Sequence, residues 1–123
     1  MDVVRVSGVV ARGLGQGRTL GYPTINIAYT GKPLAHTRAG VYAARVYVRG
    51  GALLGAAVVG GDFVTSATPK LEVHVIDDIV VERYGEAAKV ELVNFVSELE
   101  KISDIEKLKE KISDDIAAVR NYF

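Results

Sequence analysis

Residues 13–27 read Gly13-Leu14-Gly15-Gln16-Gly17-Arg18-Thr19-Leu20-Gly21-Tyr22-Pro23-Thr24-Ile25-Asn26-Ile27. Glycine has no Cβ, so its backbone can adopt positive φ and its N–H groups can come close to a ligand. Successive N–H groups that turn to one side form a concave anion site, which suits phosphate. Arg18 adds a planar, permanently charged group of donors. The segment therefore indicates a phosphate-binding loop, whose candidate residues are Gly13, Gly15, Gly17, Arg18 and Gly21.

The end of the same segment indicates a metal site. Pro23 fixes its own φ and favours an extended conformation at Tyr22, so a strand can begin at Thr24. Thr24 and Asn26 are two residues apart, which puts both side chains on one face of that strand. Two neutral oxygen donors beside a phosphate loop could hold Mg²⁺, which prefers hard oxygen ligands and keeps waters and substrate phosphates in its shell.

A simpler interpretation of the glycines is an ordinary turn or loop. The P-loop pattern G-x-x-x-x-G-K-[ST] is absent, the glycine spacing does not match G-x-G-x-x-G, and no helical pattern follows. The phosphate hypothesis therefore depends on the whole segment, in which Gly, Arg, Pro, Thr and Asn each have a separate task.

Composition limits the class of protein. The chain has 15 Lys and Arg residues and 15 Asp and Glu residues, which argues against binding to nucleic acid or acidic membranes, since both rely on a basic surplus. It has no Cys, so disulfides and thiolate chemistry are excluded and a cytoplasmic location is expected. No segment looks like a membrane span or a signal peptide. We expect a single domain over residues 1–123, monomeric by default.

The hydrophobic pattern predicts a mainly β protein. Short segments of period two, separated by Gly-rich turns, favour antiparallel strands, and closing them into a small barrel would remove exposed edges. A capping-box pattern of Ser103 with Glu106 precedes a helix. The predicted strands are Val3–Val10, Thr24–Ala28, Val41–Val48, Ala52–Val59, Lys70–Asp77 and Ala88–Val96, and the apolar stripe of the helix is Ile105, Leu108, Ile112, Ile116 and Val119.

Alternation also predicts which side chains share a face. On the fifth strand, Glu72, His74 and Ile76 oppose Leu71, Val73 and Val75. A Glu and a His at this spacing are most often the solvent face of a sheet, and the residues alone do not single out Glu72. On the sixth strand we expect Val90, Leu92 and Asn94 opposite Glu91, Val93 and Phe95. The helix stripe should pack on the sheet, with a partner-binding role as the alternative.

The sequence resembles the riboflavin kinase (flavokinase) family. Residues 13–27 match its pattern G-x-G-x-G-R-x-L-G-[FY]-P-T-x-N-[IL]. Farther along, Gly40–Ala43 is similar to its G-V-Y-A segment, Leu71–Asp77 to L-E-V-H-[LI]-x-D, and Tyr84-Gly85 to Y-G. Asp115–Arg120 resembles the D-x-x-x-A-R ending. These segments occur in the family's order and cover nearly the whole chain.

The resemblance implies a six-stranded antiparallel Greek-key barrel with a C-terminal α-helix. It implies that riboflavin and ATP are converted to FMN and ADP, with CTP as a donor not excluded. Glu72 would be the catalytic base for the ribityl 5′-hydroxyl, and Thr24 and Asn26 would bind Mg²⁺. Gly13, Gly15, Gly17, Arg18, Gly21, Pro23 and Thr24 would bind the nucleotide, so the chain would act on small molecules.

The sequence departs from the family in two places. The family's N-x-G-x-R-P-T stretch corresponds to residues 58–64, where only a Gly remains, and its Leu-Arg pair corresponds to Val96-Ser97. A non-catalytic flavin- or nucleotide-binding barrel is therefore the alternative, and a barrel that only contacts proteins through its helix ranks last. Many family members carry an FMN adenylyltransferase domain ahead of the kinase, and FAD synthesis is not expected of these 123 residues.

Overall fold

The computed structural model describes residues 3–11, 24–60, 69–76 and 84–123. These residues form six β-strands followed by one α-helix. The elements are β1 (Val4–Ala11), β2 (Thr24–Ala28), β3 (Gly40–Val48), β4 (Gly51–Gly60), β5 (Lys70–Val75), β6 (Ala87–Ser97) and α1 (Ile105–Tyr122).

The strands close into a barrel in the order β1-β2-β5-β4-β3-β6, and every adjacent pair is antiparallel. Strands β3, β4 and β5 follow one another as a meander, while β2 returns beside β5, which is a Greek key. The predicted mainly β, six-stranded Greek-key barrel with a C-terminal helix is confirmed. No helix among the described residues is long and apolar enough to cross a membrane.

Two separate apolar clusters hold this fold together. The larger one fills the barrel with inward-facing residues of all six strands, including Val6, Ile25, Val46 and Val90, and with Leu34 from the segment between β2 and β3. The smaller one lies on the outer surface, where α1 covers β3 and β4. Its buried members are Val41, Ala43, Ala56, Ile112, Ile116 and Val119.

The helix begins one residue later than the capping box predicts. Asp104 is the N-cap, and its side chain accepts a hydrogen bond of 3.0 Å from the backbone N–H of Lys107. The aspartate satisfies one of the free donors of the first turn. Ser103 therefore lies outside the helix, and Ile105, predicted to face the sheet, is 61% exposed. The remainder of the predicted stripe, from Leu108 to Val119, does pack on the barrel.

Strand β6 does not alternate strictly, so one predicted face is wrong. Its pairing with β3 shifts register twice, and Tyr42 is opposite Phe95 while Ala44 is opposite Leu92. An extra residue between these pairs reverses the alternation. Phe95 consequently lies on the same side as Leu92. Its ring contacts the Tyr42 ring edge to face, with the ring centroids 5.5 Å apart. Asn94, predicted to share a face with Leu92, pairs with Ala43 on the outside instead.

Candidate active site

Polar residues gather on the outer face of two adjacent strands. Thr24 of β2 is opposite His74 of β5, and Asn26 is opposite Glu72. Directly opposed residues on one face have Cβ atoms about 4.5–5.5 Å apart. The strand pairing therefore brings together three of the residues predicted from sequence, Thr24, Asn26 and Glu72, from positions nearly fifty residues apart.

The two rows of paired residues, one through Glu72 and one through His74, continue across β4 and β3 into an apolar surface. On β4, Val58 is the neighbour of Glu72 and Ala56 is the neighbour of His74. On β3 the rows reach Val41 and Ala43, which α1 covers. The polar group of β2 and β5 thus borders directly on the apolar surface beneath the helix.

Glu72 is half-buried on this face. Burial raises the pKa of its carboxyl group, because desolvation penalises the charged form, while the nearby charge of Lys70 acts in the opposite direction. No hydrogen bond to the Glu72 carboxylate occurs within the described residues. A partly desolvated carboxylate without a fixed partner is suited to accept a proton from a bound hydroxyl group.

His74 is 8% exposed and touches the proposed metal ligand. Its Nδ1 lies 3.3 Å from the Thr24 hydroxyl oxygen. Burial lowers the pKa of His74, and the negative charge of Asp115 opposes that effect. The His74 ring is therefore mostly neutral at pH 7 and can accept the proton of the Thr24 hydroxyl through Nδ1 when its own proton is on Nε2.

A pocket separates this polar group from the helix. Its cavity volume is about 160 Å³. Glu72 and His74 line one side, apolar residues of β3, β4 and α1 line the walls, and Leu99 and Glu100 contribute from the segment before the helix. The apolar wall residues are Val41, Ala56, Val58, Leu108 and Ile112.

Sequence reasoning missed a partly buried ionic cluster at the helix side of this pocket. Lys111 donates to Asp115 at 2.6 Å and to Ser97 at 2.8 Å, and Ser97 donates to Asp115 at 2.7 Å. The Lys111 and Asp115 side chains are only 17% and 11% exposed. Their i, i+4 spacing was visible in the sequence, but such pairs are usually on helix surfaces. Ser97 stands where the family has the Arg of its Leu-Arg pair.

The remaining predicted site residues lie outside the described residues: they are Gly13, Gly15, Gly17, Arg18, Gly21 and Pro23.

The donors on β2 fit a magnesium ion. Within residues 3–11, 24–60, 69–76 and 84–123, no group of three or more His, Cys, Asp or Glu residues could hold a metal. The Thr24 hydroxyl and the Asn26 amide are hard, neutral oxygen donors on one face, and Glu72 is opposite Asn26. Mg²⁺ usually takes few protein ligands and completes its octahedron with water and phosphate oxygens, so this sparse donor set is compatible with it.

Comparison with known proteins identifies the family. The family model "Flavokinase: Riboflavin kinase" matches residues 2–123. The chain belongs to the riboflavin kinase family. Among its curated relatives is the bifunctional riboflavin kinase/FMN adenylyltransferase of Listeria monocytogenes, which is 32% identical over 118 residues. That match covers 94% of this chain and 37% of the relative, so this riboflavin kinase domain spans little more than a third of the relative's length.

Solved structures agree with the riboflavin kinase fold. Riboflavin kinase from Trypanosoma brucei aligns with a TM-score of 0.70 at 18% identity, over 99% of this chain and 80% of the other. A crystal structure of a Streptococcus pneumoniae protein described as a macrolide-efflux protein aligns with a TM-score of 0.82 at 26% identity, over 95% of this chain and 38% of the other. At 18% identity, the likeness to the Trypanosoma brucei enzyme shows the fold alone. The words "macrolide-efflux protein" describe the Streptococcus pneumoniae protein.

Proposed function

We propose that this chain is a riboflavin kinase, which transfers the γ-phosphate of a nucleoside triphosphate to the ribityl 5′-hydroxyl of riboflavin and releases FMN. The observation that carries this proposal is the position of Glu72, a half-buried carboxylate that lines an apolar pocket and is opposite Asn26 in the strand pairing. On this proposal, an acceptor for the hydroxyl proton and a pocket for an apolar substrate would lie beside the candidate Mg²⁺ ligands Thr24 and Asn26.

Glu72 would act as the general base. It would take the proton of the 5′-hydroxyl as the oxygen attacks the γ-phosphorus, and the phosphorus–oxygen bond to the nucleoside diphosphate would break on the opposite side. Desolvation raises the pKa of Glu72, which makes the carboxylate a stronger base. Removing such a base typically costs about 10²–10⁴ in rate.

The apolar pocket would hold the isoalloxazine ring of riboflavin. This ring is the large planar part of the substrate, and its burial against Val58, Ala56 and Ile112 would be favoured by the hydrophobic effect. With the ring under α1, the ribityl chain would point toward Glu72 on β5.

Thr24 and Asn26 would hold Mg²⁺ together with the nucleotide phosphates. When bound, the metal ion supplies positive charge that offsets the negative charge of the transferring phosphoryl group. The Gly13, Gly15, Gly17, Arg18 and Gly21 loop, with Pro23 ahead of the strand, remains our proposal for the phosphate-binding segment. ATP is the proposed donor, and CTP is the alternative.

A non-catalytic flavin- or nucleotide-binding barrel remains the second candidate. The absence of the family's N-x-G-x-R-P-T stretch and of its Leu-Arg pair favours it. Thr24, Asn26 and Glu72 on one face argue against it, because a binding barrel has no need for a base beside two magnesium ligands.

The remaining proposals concern the chain as a whole. We propose that residues 1–123 form one riboflavin kinase-like domain, monomeric and cytoplasmic, which binds neither nucleic acid nor membranes. The balanced charge and the closed barrel, in which each of the six described strands is paired on both sides, support the monomer.

The deciding experiment is incubation of the purified chain with riboflavin, Mg²⁺ and ATP, CTP or GTP in turn, with FMN resolved by chromatography and fluorescence. We expect FMN with ATP, and Glu72→Gln should lower turnover by roughly 10²–10⁴. Glu110→Gln, on the exposed side of α1, is the matched control and should retain activity. Riboflavin binding without FMN from any donor would favour the binding barrel.

A further inference from the structure

Lys111 places a partly buried ammonium group in the wall of the pocket. Its side chain is only 17% exposed, and it lines the cavity together with Asp115. It is held in place by two short hydrogen bonds, to Asp115 at 2.6 Å and to Ser97 at 2.8 Å. Ordering a flexible Lys side chain usually costs conformational entropy, and here that cost is met before any ligand arrives.

The cluster leaves one donor of Lys111 unused. An ammonium group has three N–H donors, and within the described part of the chain two of them are satisfied, by Asp115 and Ser97. The third donor remains for a ligand in the cavity. A ligand that shields this N–H from water without accepting from it loses free energy, so a ligand with an acceptor at this place would be preferred over one without.

The charge of the pocket narrows the kind of acceptor. Within the described ranges, the pocket lining has three acidic residues, Glu72, Glu100 and Asp115. Lys111 is the single basic Lys or Arg side chain among the lining residues there. An anionic ligand would face these carboxylates, whereas a neutral carbonyl oxygen could accept from Lys111 without that repulsion. The ligand should therefore be an apolar, planar molecule with a carbonyl group on one edge.

Lys111 and Glu72 line different sides of the pocket, so the carbonyl acceptor and the reacting hydroxyl of the ligand would be far apart. Glu72 lies on β5, whereas Ser97, the anchor of Lys111, lies on β6, with β4 and β3 between them. Adjacent strands are about 4.8 Å apart, so the two polar ends are separated by about three such spacings along the sheet. Riboflavin has the matching order of groups, with a hydroxyl at one end, an apolar ring system, and two carbonyl groups on the pyrimidine ring.

We propose that Lys111 is a substrate-binding residue that donates a hydrogen bond to a pyrimidine carbonyl oxygen of riboflavin. This contact orients the ring with its pyrimidine edge toward α1 and its ribityl chain toward Glu72. The assignment rests on the proposed function, because it takes riboflavin as the ligand of this pocket.

The test measures riboflavin binding from quenching of flavin fluorescence, with Mg²⁺ and ADP present. Lys111→Met alone would leave Asp115 buried without its cation and could unfold the chain, so the main variant is Lys111→Met with Asp115→Asn. Asp115→Asn alone is the reference, and Lys109→Met, on the exposed side of the same helix, is the matched control. Circular dichroism verifies that each variant is folded.

We expect the double variant to bind riboflavin roughly 10- to 100-fold more weakly, the effect of one hydrogen bond to a charged group. Lys109→Met should change affinity less than about threefold, and Asp115→Asn should weaken binding less than the double variant does, because the amide oxygen can still accept from Lys111. The analogues 2-thioriboflavin and 4-thioriboflavin replace one carbonyl oxygen with sulfur, a weaker acceptor. One of them should bind the parent chain more weakly than riboflavin, and the double variant should bind that analogue and riboflavin equally.

Three results would overturn the assignment while leaving riboflavin kinase activity in place: unchanged affinity in the double variant, the full loss from Asp115→Asn alone, or an equal loss for riboflavin and both analogues. If the parent chain binds no riboflavin at all, the proposed function fails and the assignment fails with it.

Discussion

The position of Glu72 destabilises the folded chain when its carboxyl group is charged. It is half-buried without a hydrogen-bond partner among the described residues, and desolvation raises the pKa of its carboxyl group. A carboxyl group whose pKa is raised by folding binds its proton more tightly in the folded state. The folded state therefore loses stability as pH rises from the unfolded pKa, about 4.3, through the folded pKa.

Glu72→Gln should consequently be more stable than the parent chain at pH 8, while it loses activity. The difference in the free energy of unfolding should shrink as pH falls and vanish below about pH 4.3, where both side chains are neutral. Urea unfolding followed by circular dichroism at several pH values measures it, with Glu110→Gln as the control. Equal stability of the two chains at pH 8 would mean that the Glu72 carboxylate is not desolvated in solution.

His74 is predicted to act on the metal site through Thr24. A hydroxyl group that gives an oxygen lone pair to a cation still needs an acceptor for its proton, and His74 Nδ1 is 3.3 Å away. Removing such a partner typically weakens metal binding about 10- to 100-fold. We expect His74→Leu to weaken Mg²⁺-dependent ADP binding by this amount, and Thr24→Ala to weaken it at least as much.

Calorimetric titration of ADP at fixed Mg²⁺ measures this effect without turnover. His74→Asn is the matched variant, because its amide oxygen can accept from the Thr24 hydroxyl, and it should restore most of the affinity. If His74→Leu binds ADP and Mg²⁺ as the parent chain does, the hydrogen bond has no role in the metal site.

At the scale of the strands, β4 approaches β5 closely because Gly55 has no side chain. A Cβ at Gly55 would lie 2.5 Å from Val73 Cγ1 and 2.7 Å from the backbone oxygen of His74. Since that backbone oxygen cannot rotate away, Gly55→Ala should push β5 outward and cost about 1–3 kcal/mol of stability. Because β5 carries Glu72 and His74, turnover should fall as well.

Gly51→Ala is the control, because a Cβ at Gly51 would have no atom within 4 Å. Chemical denaturation and the FMN assay measure both variants. A Gly55→Ala chain as stable and active as Gly51→Ala would show that β4 and β5 can separate without effect on the site.

The elements also show what the sequence could predict. The alternation of side chains correctly assigned Glu72 and His74 to one face of β5, and Leu71 and Val73 to the other, because β5 pairs regularly on both sides. It failed for Phe95, because the register shifts of β6 arise from pairing with β3 and leave no local mark in the sequence. Asp104 and Ser103 are both good N-cap residues, so the sequence alone could not choose between them.

At the scale of the whole molecule, the barrel was predictable and part of the pocket was not. The strands alternate strongly enough to specify a closed antiparallel sheet, and family motifs singled out Thr24, Asn26 and Glu72 as candidates, which the strand pairing brings together. Lys111 and Asp115 escaped because their meaning depends on how α1 docks, which brings Ser97 of β6 between them. The pair lines the pocket because α1 covers the outer face of the sheet.

This docking predicts a coupling between ligand binding and the helix. The contact between α1 and the barrel is a small apolar cluster, separate from the barrel interior, so α1 can detach before the strands separate. A ligand held between Glu72 and Lys111 contacts both parts and stabilises the docked helix by RT ln(1 + [L]/Kd), about 2.7 kcal/mol at 100 times Kd. Helix amides should then exchange hydrogen about 100-fold more slowly.

Hydrogen exchange with mass spectrometry on peptides from α1, with and without riboflavin, Mg²⁺ and ADP, measures this coupling. The turn at Gly50, between β3 and β4, reports fraying at a site away from the pocket lining and should exchange at the same rate in both conditions. If riboflavin binds and exchange in α1 stays unchanged, the helix is not a wall of the binding site, because a ligand can stabilise only the contacts that its own binding requires.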